Sequence, residues 1–473
     1  MHSEQPNGTG LVRQIGLTSA VFIVINNVIG SAIFIAPKNV AEAINVPGLA
    51  IGVWIFSGLL TLAGALTNAE IANEITDSGG QYVYFRVLFR DWIAFLYGWT
   101  AFIVYQTGTN AAIAIAFGKY LNYIVPLPHL SPELEAWTLP FLDGVAPLDD
   151  IGIKLAAIAS VMVLSVVNYF GVKWGTFVND LFTYLKLAAI AAIVVLAFTV
   201  SDGSTAHFFP LWGTPDSGSL LSAIGIAMIA TLWTYEGWNN ISFVAGEVIN
   251  PKRNVPLALT LGTIAIIVIY VVTNIAYLYV LPIDEIASSM LVASDVMERI
   301  VGRFGGVLVA VAVMISCFGT VNATALTAAR ITYAMAKDKL FFRSLADVHP
   351  KFHTPGKALM IQGLWTSLLT LSGTYDQLFT YVIFAGWIFY ALGAGGIFLL
   401  RTKIPNAERS YRVPGYPVVP ILFIVVATWF VINTLIEQTT DSLVGLVLLL
   451  TGIPFYLSWR KSLLSESASK QPS

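Results

Sequence analysis

A chain of 473 residues that is 56% hydrophobic and only 11% charged is too apolar for a water-soluble globule, in which about 25% of residues are charged. Its net charge of -2 and absence of any dense basic run exclude a nucleic-acid binder, and its one cysteine, Cys317, excludes an internal disulfide. With a mean hydropathy of +0.76, the chain reads as an all-α polytopic membrane protein.

Residues 1–13 form a polar tail. Met1 to Gly10 lacks the basic start and short apolar core of a cleavable signal peptide, so the first span is expected to direct its own insertion. A hydrocarbon core about 30 Å thick takes roughly 20 apolar residues per helix. On that criterion the sequence predicts twelve spans, over 14–44, 48–72, 91–119, 151–170, 177–200, 218–248, 257–281, 302–336, 357–373, 376–400, 418–437 and 441–460. Lys and Arg gather in cytoplasmic loops, and an even number of spans puts both termini on one side. Assigning that side to the cytoplasm collects 18 of the 25 basic residues, from Arg13 to Lys470, and leaves Lys119, Lys154, Arg299 and Arg303 in the opposite loops. Both termini are therefore expected inside. The loop from Asn122 to Asp150 is expected to form a small external cap, and the loop from Lys337 to Lys357 a short amphipathic surface helix. The Ser-rich segment 461–473 reads as a disordered tail.

Two spans are interrupted. In the first, Gly30 and Ser31 precede Pro37, and inside a helix Gly costs about 1 kcal/mol and Pro about 3 kcal/mol. Irregular backbone at membrane depth is tolerated only where protein buries it or a cavity solvates it. A helix restarting after Ala32 aims unpaired amides, suited to a carboxylate, into the gap, while the half-helix before it offers free carbonyls, suited to an ammonium. A free amino acid carries both groups on one carbon. The other reading is that Gly30, Ser31 and Ala32 are small residues for close helix packing.

The second interruption, Thr234-Tyr235-Glu236-Gly237-Trp238-Asn239-Asn240, places a carboxylate in mid-span, where a charge costs at least about 2.5 kcal/mol. Glu236 reads as a contact for the substrate amine or side chain, as a proton carrier, or as a structural hydrogen-bonding group. Lys186, about 12 Å into the fifth span, is a fixed cation bracing the broken helix, a proton carrier, or a lysine that reaches the interface. Arg330, near the inner end of the eighth span, reads as a snorkelling or inner-gate residue. Interrupted segments at corresponding points of two halves mark the substrate site of inverted-repeat secondary transporters. The halves here are 14–200 and 218–400, followed by a helix pair over 418–460 and the tail 461–473.

The motifs resemble those of the amino acid, polyamine and organocation superfamily, and within it the L-type amino acid transporters, from Gln14 to about Arg412. Gly30-Ser31-Ala32-Ile33-Phe34 with Pro37-Lys38 resembles the first-span pattern G-S-G-I-F followed by Pro-Lys. Ala69-Glu70 with Ser78-Gly79-Gly80-Gln81-Tyr82-Val83-Tyr84, Asn168-Tyr169-Phe170-Gly171-Val172-Lys173 with Thr183 and Lys186-Leu187, Tyr235-Glu236-Gly237-Trp238-Asn239 with Asn250-Pro251, and Cys317-Phe318-Gly319-Thr320-Val321-Asn322 follow in matching order. The resemblance implies a LeuT-like fold of twelve transmembrane helices, a five-plus-five inverted repeat with two added C-terminal helices. It implies sodium-independent exchange of free L-amino acids in the inner or plasma membrane, with proton-coupled symport of amino acids or polyamines as the alternative. Substrate contacts fall on Ile29, Gly30, Ser31, Ala32 and Ile33 and on Trp233, Thr234, Tyr235, Glu236, Gly237, Trp238 and Asn239. Lys186 with Thr320 stands in for a cation site, and neither cofactor nor metal is expected. Ala32 departs from the pattern's Gly, and an acid at 236 points to a polar or cationic substrate or to proton coupling. With no cysteine in the outer loops, a disulfide-linked heavy chain is not expected.

Other classes lack their signatures. All five histidines lie outside the predicted spans, H-E-x-x-H and G-x-S-x-G are absent, and Gly356-Lys357 is followed by Ala358 rather than the Ser or Thr of a nucleotide-binding loop. A channel or receptor remains as a third class, and it has no need of Lys186 and Glu236 beside paired breaks.

Overall fold

A computed structural model of the protein describes residues 11–139, 146–215, 219–372, 375–405 and 409–468, without the side chains of 375–383 and 462–468. Among these residues nine helices are long and apolar enough to cross a membrane: Pro47–Glu74, Asp91–Ile124, Ile151–Tyr169, Val172–Thr199, Pro251–Val280, Arg303–Lys337, Phe384–Lys403, Val418–Glu437 and Thr439–Lys461. A tenth crossing consists of Leu17–Val28 and Ala32–Ala43, bent by 44° at their junction. The other two predicted spans are helical but shorter, Leu220–Thr234 with 15 residues and Gly356–Ser372 with 17. The first of these passes through turns into a 3-10 stretch, Asn240–Glu247. In chain order these are the first to twelfth segments, the sixth running over 220–247.

The broken segments lie crosswise at the centre. Leu17–Val28 packs on Asn240–Glu247, and Leu220–Thr234 packs on Ala32–Ala43. The second and seventh segments cover one side of this pair, and the third, fifth and eighth enclose the other. The fifth, eleventh and twelfth segments are the least buried in protein and present side chains such as Phe177, Val195, Val425 and Val447 outward, as lipid-facing helices do.

At the end of the molecule that carries Gln14, the loop 78–80 closes against the sixth segment. Gly79 and Gly80 have φ of +119° and +51°, and a Cβ on Gly80 would fall 2.2 Å from the Phe243 ring. Glycine is thus required twice over, for the backbone conformation and for the contact. The amides of Gln14 and Ile15 donate to Glu247 O at 2.8 and 3.0 Å, which ties the start of the chain to the same place.

Two loop expectations change. The 337–357 loop forms only a 3-10 turn at Arg343–Ala346; positive φ at Lys339 and His353 interrupts any helix, and Phe341 is buried against Trp459, which Phe342 also touches while remaining exposed. The last helix runs on to Ala468, so 461–468 is not an irregular tail. The loop 122–150 begins with the end of the helix Gln106–Ile124 and contains the short helix Pro132–Glu135, and 140–145 lies outside the described residues.

Candidate functional site

The first break is a carbonyl end that protein groups already occupy. Helix 17–28 stops at Val28, Ile29 and Gly30 leave helical geometry, and Ser31 precedes the restart at Ala32. Lys186 is fully buried and sits 14 residues from the start of its helix, about 21 Å along it, deeper than the sequence suggested and out of snorkelling range. Its ammonium donates to Ile29 O, to Thr320 Oγ1 at 3.0 Å and to Asn26 O at 3.3 Å. Thr320 Oγ1 is also 2.9 Å from both carbonyls and 3.0 Å from Ser316 O, and its one proton serves one of the three at a time. Ser316 Oγ approaches Ile29 O at 3.1 Å and Gly30 O at 3.0 Å. The partial negative charge of a helix C-terminus thus faces a fixed positive group whose partners are neutral oxygens. The carbonyls are therefore not free, as the sequence alone suggested.

The break is not a packing device at Gly30. A Cβ there meets nothing closer than 3.8 Å. The first amides of the restarted helix, Ala32 and Ile33, have no acceptor among the described residues, as expected of a helix N-terminus open to an anion.

The second break has a different character. Leu220–Thr234 ends at Tyr235, and Gly237, with φ of +98°, turns the chain. A Cβ on Gly237 would lie 2.9 Å from Asn27 O, so glycine here lets the two breaks approach. Glu236 is 7% exposed. Its Oε1 accepts from Tyr105 Oη at 2.5 Å, from Tyr390 Oη, and from the Gly237 amide at 2.9 Å. The two tyrosine oxygens are 2.6 Å apart, and Tyr390 also reaches Asn239 Oδ1 at 3.2 Å while its ring lies tilted against Trp238, with centroids 5.1 Å apart. Glu236 Oε2 is buried and has no partner among the described residues. A buried acceptor left unpaired is costly, and in a native site it calls for an explanation.

Tyr270 of the seventh segment joins the breaks. Its hydroxyl is 2.9 Å from both Val28 O and Thr234 O, and with one proton it serves one of them at a time. Asn240 Nδ2 donates to Asn27 Oδ1 at 2.9 Å, a second bridge. These contacts bring the two breaks together. Tyr235 turns away and donates to Trp54 O at 3.2 Å. Trp233 lines a cavity of about 600 Å³ on the far side from Gln14, with Lys38, Lys119 and Met290 at its walls.

On the Gln14 side the route is shut. Arg330 and Glu247, both fully buried, form a bidentate pair at 2.7 and 2.9 Å, which removes the snorkelling reading of Arg330. Beneath it Arg86 and Tyr82 hold Asp338, whose carboxyl is raised above its ordinary range chiefly by burial, against the pull of Arg86. Sequence reasoning missed Tyr105, Tyr270, Tyr390, Ser316, Asn27 and Glu247 as members of this site. A tyrosine in an apolar span carries no signal of its partner, though a mid-span carboxylate did announce that donors had to exist.

Crossed, broken helices around a midplane gap, closed on one side by ion pairs, define a membrane transporter rather than an enzyme or a pore. The sequence profile of the amino acid permease family matches residues 15–453, and the chain belongs to that family. It is 33% identical over 464 residues to the serine/threonine exchanger SteT of Bacillus subtilis, covering 98% of this chain and 99% of that one. It is 30% identical to the human cystine/glutamate transporter, over 94% of this chain and 85% of that one. The human b(0,+)-type amino acid transporter 1 is 29% identical, over 96% of this chain and 90% of its own length.

Proposed function

We propose that the protein is a sodium-independent exchanger of L-amino acids that works by alternating access. The observation that carries this reading is Lys186, seated among Asn26 O, Ile29 O and Thr320 Oγ1. A covalently fixed ammonium supplies the charge that a transported cation would otherwise bring to the same carbonyls, so no ion gradient enters the cycle there. The substrate carboxylate would meet the amides of Ala32 and Ile33, its ammonium the carbonyl edge near Trp233 and Thr234, and its side chain the open oxygen of Glu236. Because Glu236 Oε2 awaits a donor, polar or cationic side chains fit best. The two five-helix blocks, 14–200 and 218–400, would rock about the site, with both termini in the cytoplasm of a cell membrane. Cys317 is fully buried, so the protein is expected to work without a disulfide-linked subunit.

Proton symport is the second reading, favoured by the placement of a buried carboxyl in a hydroxyl network. Counterflow in proteoliposomes separates the two. An exchanger takes up labelled amino acid only into preloaded vesicles, whereas a symporter fills empty vesicles when a pH gradient is imposed.

A further inference from the structure

The third segment is not a uniform α-helix. Residues Ala101–Tyr105 form a π turn, in which the Gln106 amide donates to Ala101 O. One extra residue in a turn rotates the helix beyond it by about 100°, and such turns concentrate at functional sites. Tyr105 closes this one, and its hydroxyl is the 2.5 Å partner of Glu236 Oε1.

The turn is also held by a neighbouring segment. Trp365 of the ninth segment donates its indole N–H to Ile103 O at 2.9 Å. Its ring stacks on Phe102, with centroids 5.9 Å apart and planes at 21°. Within the third segment Thr107 Oγ1 donates to Phe102 O at 2.7 Å. Two side-chain donors thus sit on adjacent carbonyls of the π turn. A regular α-helix would satisfy those carbonyls with backbone amides instead, so both donors favour the wider turn. Relaxing it to α geometry would swing Tyr105 away and leave Glu236 with Tyr390 as its one hydroxyl partner.

We propose that Trp365 is a positioning residue for substrate selection, acting through the π turn to fix the register at which Tyr105 meets Glu236 and thereby the balance between cationic and small neutral side chains. The proposal rests on the reading that Glu236 faces the substrate side chain. With Tyr105 displaced, the carboxylate loses a donor and accepts more readily from a cationic substrate. Selection therefore moves toward cationic amino acids.

The test is the ratio of kcat/KM for L-lysine to that for L-serine, measured by exchange in proteoliposomes. Trp365→Phe keeps the stacking ring and removes the donor; it is expected to raise the ratio about tenfold. Tyr105→Phe should shift it in the same direction, and the double variant no further than the larger single shift, because both act on one contact. Thr107→Val tests the same turn from within its own helix and should give a smaller shift of the same sign. A ratio within twofold of the parent in exchange-competent Trp365→Phe and Thr107→Val, or additive effects with Tyr105→Phe, overturns the proposal. Glu236→Gln is measured alongside. If it leaves the ratio unchanged, the side-chain reading itself fails; if it moves the ratio while Trp365→Phe does not, only the linkage fails.

Discussion

The two breaks are built from similar materials and solve opposite problems. At the first break the carbonyls of Asn26, Ile29 and Gly30 are taken up by Lys186, Thr320 and Ser316, with Tyr270 beside Val28 O, so that this end is served by groups of the chain itself. At Tyr235–Asn239 a carboxylate is held on one oxygen by two tyrosines and left open on the other. On the proposed reading, Lys186 fills a cation site from within the protein and gives constancy, because nothing has to bind for the helix to hold its shape. An acceptor left unfilled gives selectivity, because the cost of the unpaired oxygen is relieved only by a ligand with a matching donor.

Four substitutions probe this contrast, and they fall in a definite order of effect. Lys186→Ala removes the fixed charge from the carbonyl cluster and should lower exchange by about 100-fold or more, since polar groups buried at membrane depth depend on their partners. Near-normal turnover in that variant would place the constancy elsewhere. Gly237→Ala combines a positive φ with a contact to Asn27 O and should cost about 1–3 kcal/mol of stability, read as a lowered melting temperature in detergent. An unchanged melting temperature would mean that the approach of the two breaks is not constrained there. Glu236→Gln keeps the size and both tyrosine contacts but not the charge. Lysine transport is expected to fall about tenfold relative to serine, with serine turnover changed no more than a few-fold. Equal losses for both would make Glu236 structural. Gly30→Ala adds a methyl with room on all sides and should leave stability within about 1 kcal/mol, any rise in KM reporting how closely the substrate carboxylate approaches.

The parts of this arrangement that were legible in the sequence are those where polarity contradicts position. Lys186 and Glu236 stand out because a charge within an apolar run demands a reason, and Gly30-Ser31 with Pro37 stands out because helices do not favour that run. Depth was misjudged for Lys186, since Val172 to Thr176 read as loop and proved to be the first turns of a 28-residue helix. The partners were not legible. Tyr105 and Tyr390 lie 131 and 154 residues from Glu236 in sequence, and each is an amphipathic residue at home in any span. The π turn at 101–105 left no mark either, because a helix mostly enclosed by protein has no polar face whose periodicity could register the extra residue. Arg330 read as a terminal, interface-seeking residue until Glu247 proved to lie across from it, 83 residues away.

In the proposed cycle Lys186 does permanently what a bound cation would do transiently. The most direct measurement is counterflow of labelled serine into proteoliposomes, preloaded or empty, with sodium replaced by choline on both sides. The prediction is uptake into preloaded vesicles only, at the same rate in choline as in sodium. Sustained uptake into empty vesicles driven by a sodium or pH gradient would contradict it.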